Sequence, residues 1–125
     1  KDHKYYIKEE FNPSKNAAFA IVCNNDWATT QACPANTWTT VQYIATNNSD
    51  NSSGNIWLTY YVGTAASAGD TCQTRNPIVI DLTKMFGAGN EPTTVAELRE
   101  ACLKNNINLD EAQPYTTGST IIWKK

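Results

Sequence analysis

Residues 24–27, "NNDW", place one aromatic ring beside two amides and a carboxylate. The face of the Trp27 indole suits the C–H surface of a sugar ring, and Asn25 and Asp26 offer groups that hydrogen-bond hydroxyls. The stretch lies in a polar segment rich in turn-forming residues, where an aromatic side chain is least committed to a core. Trp27, Asn25 and Asp26 are therefore candidate ligand-binding residues. The alternative is that Trp27 anchors this loop in the interior, because Trp is highly buried on average.

Two tyrosines on a predicted strand are the other candidates for ligand contact. Tyr60 and Tyr61 are adjacent in "IWLTYYV", so they point to opposite faces of the strand. One should join the core, and the other can line an open face of the sheet. Trp38, which starts the β-branched and aromatic run "WTTVQYIAT", is expected in the core because Trp side chains are mostly buried.

The residue types that perform acid–base or nucleophilic catalysis are poorly placed. The single histidine, His3, lies beside the start of the sequence, and a Ser-His-Asp set would depend on it. Glu9 and Glu10 are neighbours on a predicted strand and face opposite ways, so they cannot act as a paired acid and base. We expect no enzymatic activity. A small hydrolase stays an alternative that would need loop carboxylates to cluster, with Asp26, Asp50 and Asp70 as the candidates.

The four cysteines are Cys23, Cys33, Cys72 and Cys102, and no Cys-x-x-Cys pair is present, so a zinc site is not expected. Cys23 and Cys33 flank a polar segment and would close a small loop if they formed a disulfide. The favoured alternative is that the cysteines are buried and behave as small hydrophobic side chains.

The composition favours one β-rich globular domain, because 41% of the 125 residues are hydrophobic and 10% are aromatic. The formal net charge is −2, and the ten Lys and Arg residues form no cluster, which disfavours nucleic-acid binding. No apolar run approaches the roughly 20 residues of a membrane-spanning helix, so we expect no membrane insertion.

Strand-forming residues fall in five segments separated by turn-rich loops. Their patterns predict strands at residues 5–11, 17–23, 38–46, 56–62 and 72–82. Sequential hairpins or Greek-key crossings of such strands would give an antiparallel β-sandwich. Five strands are few for a closed sandwich, so we expect that N-terminal strands of the full module are missing from residues 1–86.

Residues 79–94, "VIDLTKMFGAGNEPTT", form a junction where the pattern changes from strand to helix. Gly87 and Gly89 allow backbone angles that a Cβ forbids, so the chain can turn sharply there. Met85 and Phe86 would pack the following helix onto the edge of the sheet. No Gly-Lys-Ser/Thr follows, so a nucleotide-binding loop is not expected. We call this junction the clasp, and its predicted residues are Asp81, Phe86, Gly87, Gly89, Asn90 and Pro92.

A helix of about three turns is predicted within residues 93–106, "TTVAELREACLKNN". Thr94 and Glu97 have the spacing of a capping box, in which the carboxylate reaches back to the N–H of the capping residue. The tail that follows is expected to hold a turn and a final short strand, "STIIW". The apolar face of the helix would carry Val95, Leu98, Ala101 and Cys102.

The stretch "IDLTKMFGAGNEPTTVAEL", followed some twenty residues later by "PYTTGS", resembles a segment of tail-associated and receptor-binding proteins of tailed bacteriophages and prophages. In those proteins the segment closes a carbohydrate-binding-module-like jelly roll. The runs "HKYYI", "TWTTV" and "IWLTYYVG" resemble earlier strands of the same domain, so the resemblance covers most of the chain.

The resemblance implies a mainly β fold, with a jelly-roll-like antiparallel β-sandwich in residues 1–86. A glycine turn, one capped α-helix and the tail with its short final strand, residues 87–125, would pack on the same domain. The implied function is a non-enzymatic module of a virion tail or surface appendage, synthesised in the bacterial cytoplasm, whose partner is a host-surface glycan. The alternative is a structural, assembly or decoration domain that contacts other virion proteins. A homo-oligomer is left open.

No cofactor is expected from the sequence. Jelly-roll binding modules often hold a structural calcium ion through loop carboxylates and carbonyls, and Asp70 or Asp81 would be the ligands here. The favoured alternative is that each acid is solvated or caps a helix, because the sequence has no spaced cluster of oxygen ligands.

Overall fold

The computed structural model describes residues 1–23, 26–27, 30–48, 60–62 and 67–109, and of residues 22–23, 26–27 and 60–62 it describes the backbone alone. This part of the chain is mainly β, with antiparallel sheets and two short helices, which confirms the predicted class at that level. The elements are β1 (Lys4–Pro13), β2 (Ala17–Ala20), β3 (Val22–Cys23), β4 (Asp26–Trp27), β5 (Gln31–Cys33), β6 (Thr39–Thr46), β7 (Tyr60–Val62), β8 (Cys72–Asp81), α1 (Leu82–Phe86) and α2 (Val95–Lys104).

The described strands form three antiparallel sheets. Sheet A has the order β6-β1-β8, sheet B has the order β5-β2-β7, and sheet C pairs β3 with β4. β1 is the central strand of sheet A, since Tyr6 pairs with Ile44 of β6 on one side and with Ile80 of β8 on the other. Both partner strands lie far along the chain, so sheet A is built from non-local pairings.

One face of sheet A packs against the helices. Neighbouring strand residues point to opposite faces, and Tyr6 of β1 lies on the helix side, where it is fully buried. Ile44 and Ile80, the residues paired with it, pack against the same cluster. The other buried members of this first cluster are Ile78, Leu82, Met85, Phe86, Leu98, Ala101, Cys102 and Leu109.

The opposite face of sheet A contributes to a second cluster with residues of β2 and β5. Ile7, which follows Tyr6 in β1, is buried on this side. The rings of Phe11 and Phe19 stack with their centroids 4.1 Å apart and their planes within 7° of parallel. The other buried members of this cluster are Ile21, Cys33, Val41 and Ala45. Sheet A therefore separates two hydrophobic clusters, and β1 supplies side chains to both.

α2 begins where the sequence predicted. Thr94 is its N-cap, and the Thr94 hydroxyl accepts from the N–H of Glu97 at 3.1 Å. The Glu97 carboxylate accepts from the N–H of Thr93 at 3.0 Å, one residue earlier than the capping box predicted, and from the Thr93 hydroxyl at 3.3 Å. The predicted apolar face is buried at Leu98, Ala101 and Cys102.

Three local elements differ from the sequence prediction. β8 ends at Asp81, and the next five residues form α1, which the pattern did not predict. Residues 24–36, predicted as a loop, contain β4 and β5, whose two- and three-residue lengths carry no periodic signal. The strand predicted at residues 56–62 is described only for residues 60–62, and the predicted final strand lies outside the described residues.

The cysteines follow the prediction in part. Cys33 and Cys102 are buried free thiols, as small hydrophobic side chains would be. Because Cys33 is free, the disulfide between Cys23 and Cys33 is not formed; the Cys23 side chain lies outside the described part of the chain. Cys72 is exposed, against expectation, because it begins a strand whose first six residues are all exposed.

Candidate functional site

Among the described residues, α2 packs on the helix-facing side of sheet A near Tyr6 and Ile44, and exposed residues lie at the other end of that side. Gln42 lies at the boundary: its Oε1 accepts from the Tyr6 hydroxyl at 2.8 Å and from Nη2 of Arg99, on α2, at 3.3 Å. Thr40, two residues earlier on β6, is exposed. We call this exposed end the Trp38 surface. Strand register and the contacts below place on it Glu10, Asn12, Trp38, Thr40, Gln73 and Arg75.

A β-bulge in β8 brings two polar side chains to the same carboxylate. The register advances from Lys8–Ile78 to Glu10–Arg75, so β8 uses one residue more than β1 over this step. Asn76, inside the bulge, has φ of 52°, a left-handed angle that Asn tolerates better than most residues. As a result, Nδ2 of Asn76 donates to Oε2 of Glu10 at 2.7 Å, and Nη2 of Arg75 donates to Oε1 at 3.3 Å.

Trp38 lies beneath the guanidinium of Arg75, whose central carbon is 3.9 Å from the centroid of the indole ring. This is a cation–π contact. Trp38 is half-buried, so its predicted place in the core is wrong. Within the described residues, Arg99 of α2 reaches β6 at Gln42, four residues after Trp38, and Arg75, with a side chain that is 47% exposed, lies over the ring instead.

The Glu10 carboxylate is held in its ionised form. The hydrogen bond from Asn76 lowers the pKa of Glu10, partial burial opposes that change, and the hydrogen bond and charge of Arg75, together with the charge of Lys8, lower it further. The net effect is a pKa below the ordinary range for Glu. Glu10 is therefore a fixed negative charge and hydrogen-bond acceptor at neutral pH.

Two amides extend the polar part of this surface. Nδ2 of Asn12 donates to Oε1 of Gln73 at 3.2 Å across the β1–β8 pair. The Oδ1 atom of Asn12 is buried and meets no donor within the described residues. An unpaired buried acceptor costs about 1–3 kcal/mol. The Trp38 surface thus combines a flat aromatic ring with a carboxylate, a guanidinium, amides and a hydroxyl.

The clasp is the second polar arrangement, and it begins at Asp81. Asp81 is the N-cap of α1, where its Oδ1 accepts from the N–H of Lys84 at 3.0 Å. Its Oδ2 lies 2.8 Å from Nδ1 of His3. The histidine considered for catalysis therefore contacts the clasp, and Asp81, considered for calcium, caps a helix.

Glu91 is the central acceptor of the clasp, although only 4% of it is exposed. Its Oε1 accepts from the Thr83 hydroxyl at 2.7 Å, and its Oε2 accepts from the N–H of Gly89 at 2.8 Å. The Thr83 hydroxyl oxygen in turn accepts from the N–H of Lys4 at 2.9 Å. Burial alone would raise the pKa of Glu91, but these hydrogen bonds and its own backbone N–H outweigh burial and hold the pKa below the ordinary range.

The glycines of the clasp adopt left-handed angles, as the sequence suggested. Gly87 has φ of 90° and Gly89 has φ of 84°. The N–H of Gly87 ends α1 by donating to the Thr83 carbonyl at 2.9 Å, and the N–H of Asn90 donates to the Gly87 carbonyl at 3.1 Å. Phe86 and Pro92, on either side of this turn, are buried.

The clasp polar groups are directed at one another, so this arrangement joins parts of the fold. Thr83 and Glu91 are the two residues that sequence reasoning missed in it. Thr83 occupies the second position of a helix that the pattern did not predict, and Glu91 resembles an ordinary surface residue of a turn. The signal that could have found Glu91 is its place between the glycine turn and Pro92.

The ligand candidates from the sequence lie at the margin of the described structure. Asp26 and Trp27 form β4 and pair with Cys23 and Val22. Tyr60 and Tyr61 belong to β7 and pair with Ala20 and Phe19 of β2. The side chains of these candidates, and all of Asn25, lie outside the described residues. The Trp38 surface consists instead of residues that the sequence did not single out for binding.

The described residues offer neither a clustered metal site nor a membrane-spanning helix. Within the described ranges, no three His, Cys, Asp or Glu side chains come together as a metal site. Asp70, the other calcium candidate, accepts from the N–H of Ser67 at 2.6 Å and from Nζ of Lys15 at 2.6 Å. Neither described helix has the length and hydrophobicity needed to cross a bilayer.

Comparisons of the chain with protein-family models, with curated proteins and with solved structures gave no match.

Proposed function

We propose that this chain is a non-enzymatic binding module of a phage or prophage tail that recognises host-surface carbohydrate by aromatic stacking and hydrogen bonds. The resemblance of residues 80–98 to tail-associated and receptor-binding proteins supports the biological setting. We further propose that sheets A and B belong to a jelly-roll-like β-sandwich. The second hydrophobic cluster supports this architecture, because Phe11 of sheet A stacks on Phe19 of sheet B within it.

The observation that carries the proposal is the Trp38 surface. A sugar ring presents a flat C–H face and several hydroxyls, and it needs an aromatic face beside fixed donors and acceptors. Trp38 supplies the ring, Glu10 supplies an oriented acceptor, and Thr40 and Gln73 supply exposed polar groups. Arg75 is half-exposed and is held by one hydrogen bond of 3.3 Å, so its side chain can rotate to uncover the indole.

A glycan array tests the function with the 125-residue chain and three alanine variants. Trp38→Ala removes the proposed platform, Trp27→Ala removes the candidate from the sequence, and Leu103→Ala changes an exposed residue of α2 as a control. We expect specific binding that is lost in Trp38→Ala and retained in Leu103→Ala. Trp38→Phe keeps a flat ring, so we expect it to bind more weakly than wild type and more tightly than Trp38→Ala.

The result that would overturn the function is an absence of specific glycan binding by the folded wild-type chain. Loss of binding in Trp27→Ala alone would keep the function and move the site to the Asn24–Trp27 segment. Far-ultraviolet circular dichroism of each variant distinguishes lost binding from lost folding.

A structural or assembly module of the phage particle is the second candidate, and the position of β8 favours it. Among the described strands, β8 pairs with β1 alone and forms one edge of sheet A. An exposed edge strand can accept a strand from another protein. Val79, on this edge, is 49% exposed. This role would be established by three results together. The wild-type chain captures other proteins of the same virion, Val79→Lys abolishes that capture, and the glycan array is negative.

A further inference from the structure

We propose that the Trp38 surface selects an acidic saccharide, and that Arg75 is the specificity-determining residue that binds the carboxylate of the sugar. The inference rests on the proposed carbohydrate-binding function and names the class of sugar.

The position of Arg75 makes it the first group that a ligand meets. The guanidinium lies over one face of the indole, 3.9 Å from its centroid, and half of the Arg75 side chain is exposed. A neutral sugar that stacks on Trp38 must displace Arg75 and break its contacts with the ring and with Glu10. An acidic sugar replaces those contacts with charged hydrogen bonds, because its carboxylate matches the planar fork of a guanidinium. Uncovering the ring therefore weakens the binding of neutral ligands more than the binding of acidic ligands.

The Arg75 guanidinium has N–H donors that can bind such a ligand. A guanidinium carries five N–H groups in one plane, and stacking on an aromatic ring leaves their in-plane directions open. Glu10 is the one acceptor that the Arg75 guanidinium meets within the described part of the chain, through Nη2. The N–H groups that do not reach Glu10 can meet the sugar carboxylate first, and Nη2 then exchanges Glu10 for that carboxylate as the side chain leaves the indole.

Arg75 is the more exposed charge of the Arg75–Glu10 pair, although the chain as a whole carries a net charge of −2. Asn76, the remaining partner of Glu10, is neutral and holds its Oε2 at 2.7 Å. Glu10 is less exposed than Arg75, 16% against 47% of the side chain, so an approaching ligand meets the guanidinium more readily than the carboxylate.

The test uses a panel of oligosaccharides built from glucuronic, galacturonic, mannuronic and sialic acids, each with its carboxyl-reduced counterpart. Binding is measured by isothermal titration calorimetry with the 125-residue chain. We expect at least one acidic oligosaccharide to bind roughly tenfold or more tightly than its reduced form, as the loss of a charged hydrogen-bonded pair predicts. The preference should weaken as salt is raised, because the guanidinium is partly exposed.

Two substitutions at Arg75 and one remote control assign the effect to this residue. Arg75→Gln should abolish the preference for the acidic form, and Arg75→Lys should keep a reduced preference because it retains the charge and loses the fork. Lys84→Gln removes an equal charge from an exposed position of α1 and should leave the preference unchanged.

Each contrary outcome separates the inference from the function on which it rests. Equal binding of acidic and reduced oligosaccharides, or binding of neutral glycans alone, overturns the inference and leaves the carbohydrate-binding function intact. A preference for acidic sugars that persists in Arg75→Gln also overturns it. Binding of neither the acidic panel nor any glycan of the array overturns both.

Discussion

Glu10 and Glu91 are two carboxylates whose hydrogen bonds keep them ionised against the effect of burial. At Glu10 the partners are side chains of a bulge, and half of Arg75 remains exposed beside them. At Glu91 the partners are a threonine hydroxyl and a backbone N–H, and the carboxylate is almost fully enclosed. The first carboxylate belongs to the Trp38 surface, and the second belongs to the interior framework.

Glu91→Gln should destabilise the fold by about 1–3 kcal/mol. The two donors meet different carboxylate oxygens, and the amide replaces one of these oxygens by an NH₂ donor, so the hydrogen bond from either the Thr83 hydroxyl or the Gly89 N–H is lost. Urea unfolding measures the difference. Glu100→Gln is the matched control, since that side chain is 62% exposed and pairs with Lys104 on the surface of α2. A loss of about 0.5 kcal/mol or less is expected there, and equal losses in the two variants would contradict the role of Glu91.

Acidification should reduce the advantage of wild type over Glu91→Gln. The pKa of Glu91 is lowered in the folded state, so its contribution to stability is complete above the ordinary pKa of 4.5. That contribution is lost as the pH falls through the lower folded-state pKa. The difference in unfolding free energy between the two proteins should therefore narrow as the pH falls below about 4.5. A difference that stays constant or widens on acidification would show that the carboxylate is not stabilised in its ionised form.

Sequence reasoning succeeded and failed at single residues for identifiable reasons. The left-handed angles at Gly87 and Gly89 were predictable, because the chain had to turn between two patterned segments. Trp38 was assigned to the core because Trp is usually buried, but its ring lies under the half-exposed Arg75 side chain. Arg75 reaches Trp38 through pairings with β1 that are distant in the sequence.

At the scale of elements, the clasp connects β8 to α2 through α1 and a glycine turn. α1 is only five residues long and is capped at one end by Asp81 and at the other by Gly87. So short a helix has little stability of its own, and its buried residues Leu82, Met85 and Phe86 supply tertiary contacts instead. The turn that follows therefore sets the path by which α2 returns to the sheet.

The double variant Gly87→Val and Gly89→Val should lower the unfolding free energy by about 1–3 kcal/mol per site. The cost comes from the backbone angle, since a Cβ at Gly89 would meet nothing within 4 Å and one at Gly87 would meet only Nδ2 of Asn90, at 3.5 Å. Thermal melting measures the change, and Ala88→Val, at the exposed residue between them, is the control. An unchanged melting temperature in the double variant would contradict the account of the clasp.

Element prediction depended on the length of the periodic signal. α2 was predictable because ten residues carry a helical apolar face and a capping threonine. β4 and β5 were not, because strands of two and three residues have no period to detect. The bulge at Asn76 was also hidden, since it is defined by the register of β8 against β1 rather than by β8 itself.

In the whole molecule, sheet A lies between two hydrophobic clusters and contributes side chains to both. β1 contributes Tyr6 to the cluster with the helices, and Ile7 and Phe11 to the other. The mainly β class followed from composition and strand patterns. The division into two clusters did not, because it depends on which strands become neighbours in space.

The rate at which each cysteine is alkylated should reflect its position inside or outside the two hydrophobic clusters. Cys72 is exposed, whereas Cys33 and Cys102 each lie in a different buried cluster. Burial raises the pKa of the Cys102 thiol to about 11, so the reactive thiolate is scarce there at pH 8. In a Cys23→Ser background, iodoacetamide should modify Cys72 first, and Cys33 and Cys102 only after unfolding in urea. Peptide mapping by mass spectrometry measures the order, and early modification of Cys102 would contradict the packing of α2.

The most direct test of the central claim is an NMR titration of the indole N–H signals with the oligosaccharide that binds most tightly on the array. The chain has four Trp residues, and a Trp38→Phe variant identifies the Trp38 signal. We expect this signal to shift with saturation and to shift further than the other three. A Trp38 signal that stays unchanged while another indole signal saturates would contradict the assignment of the binding site to the Trp38 surface.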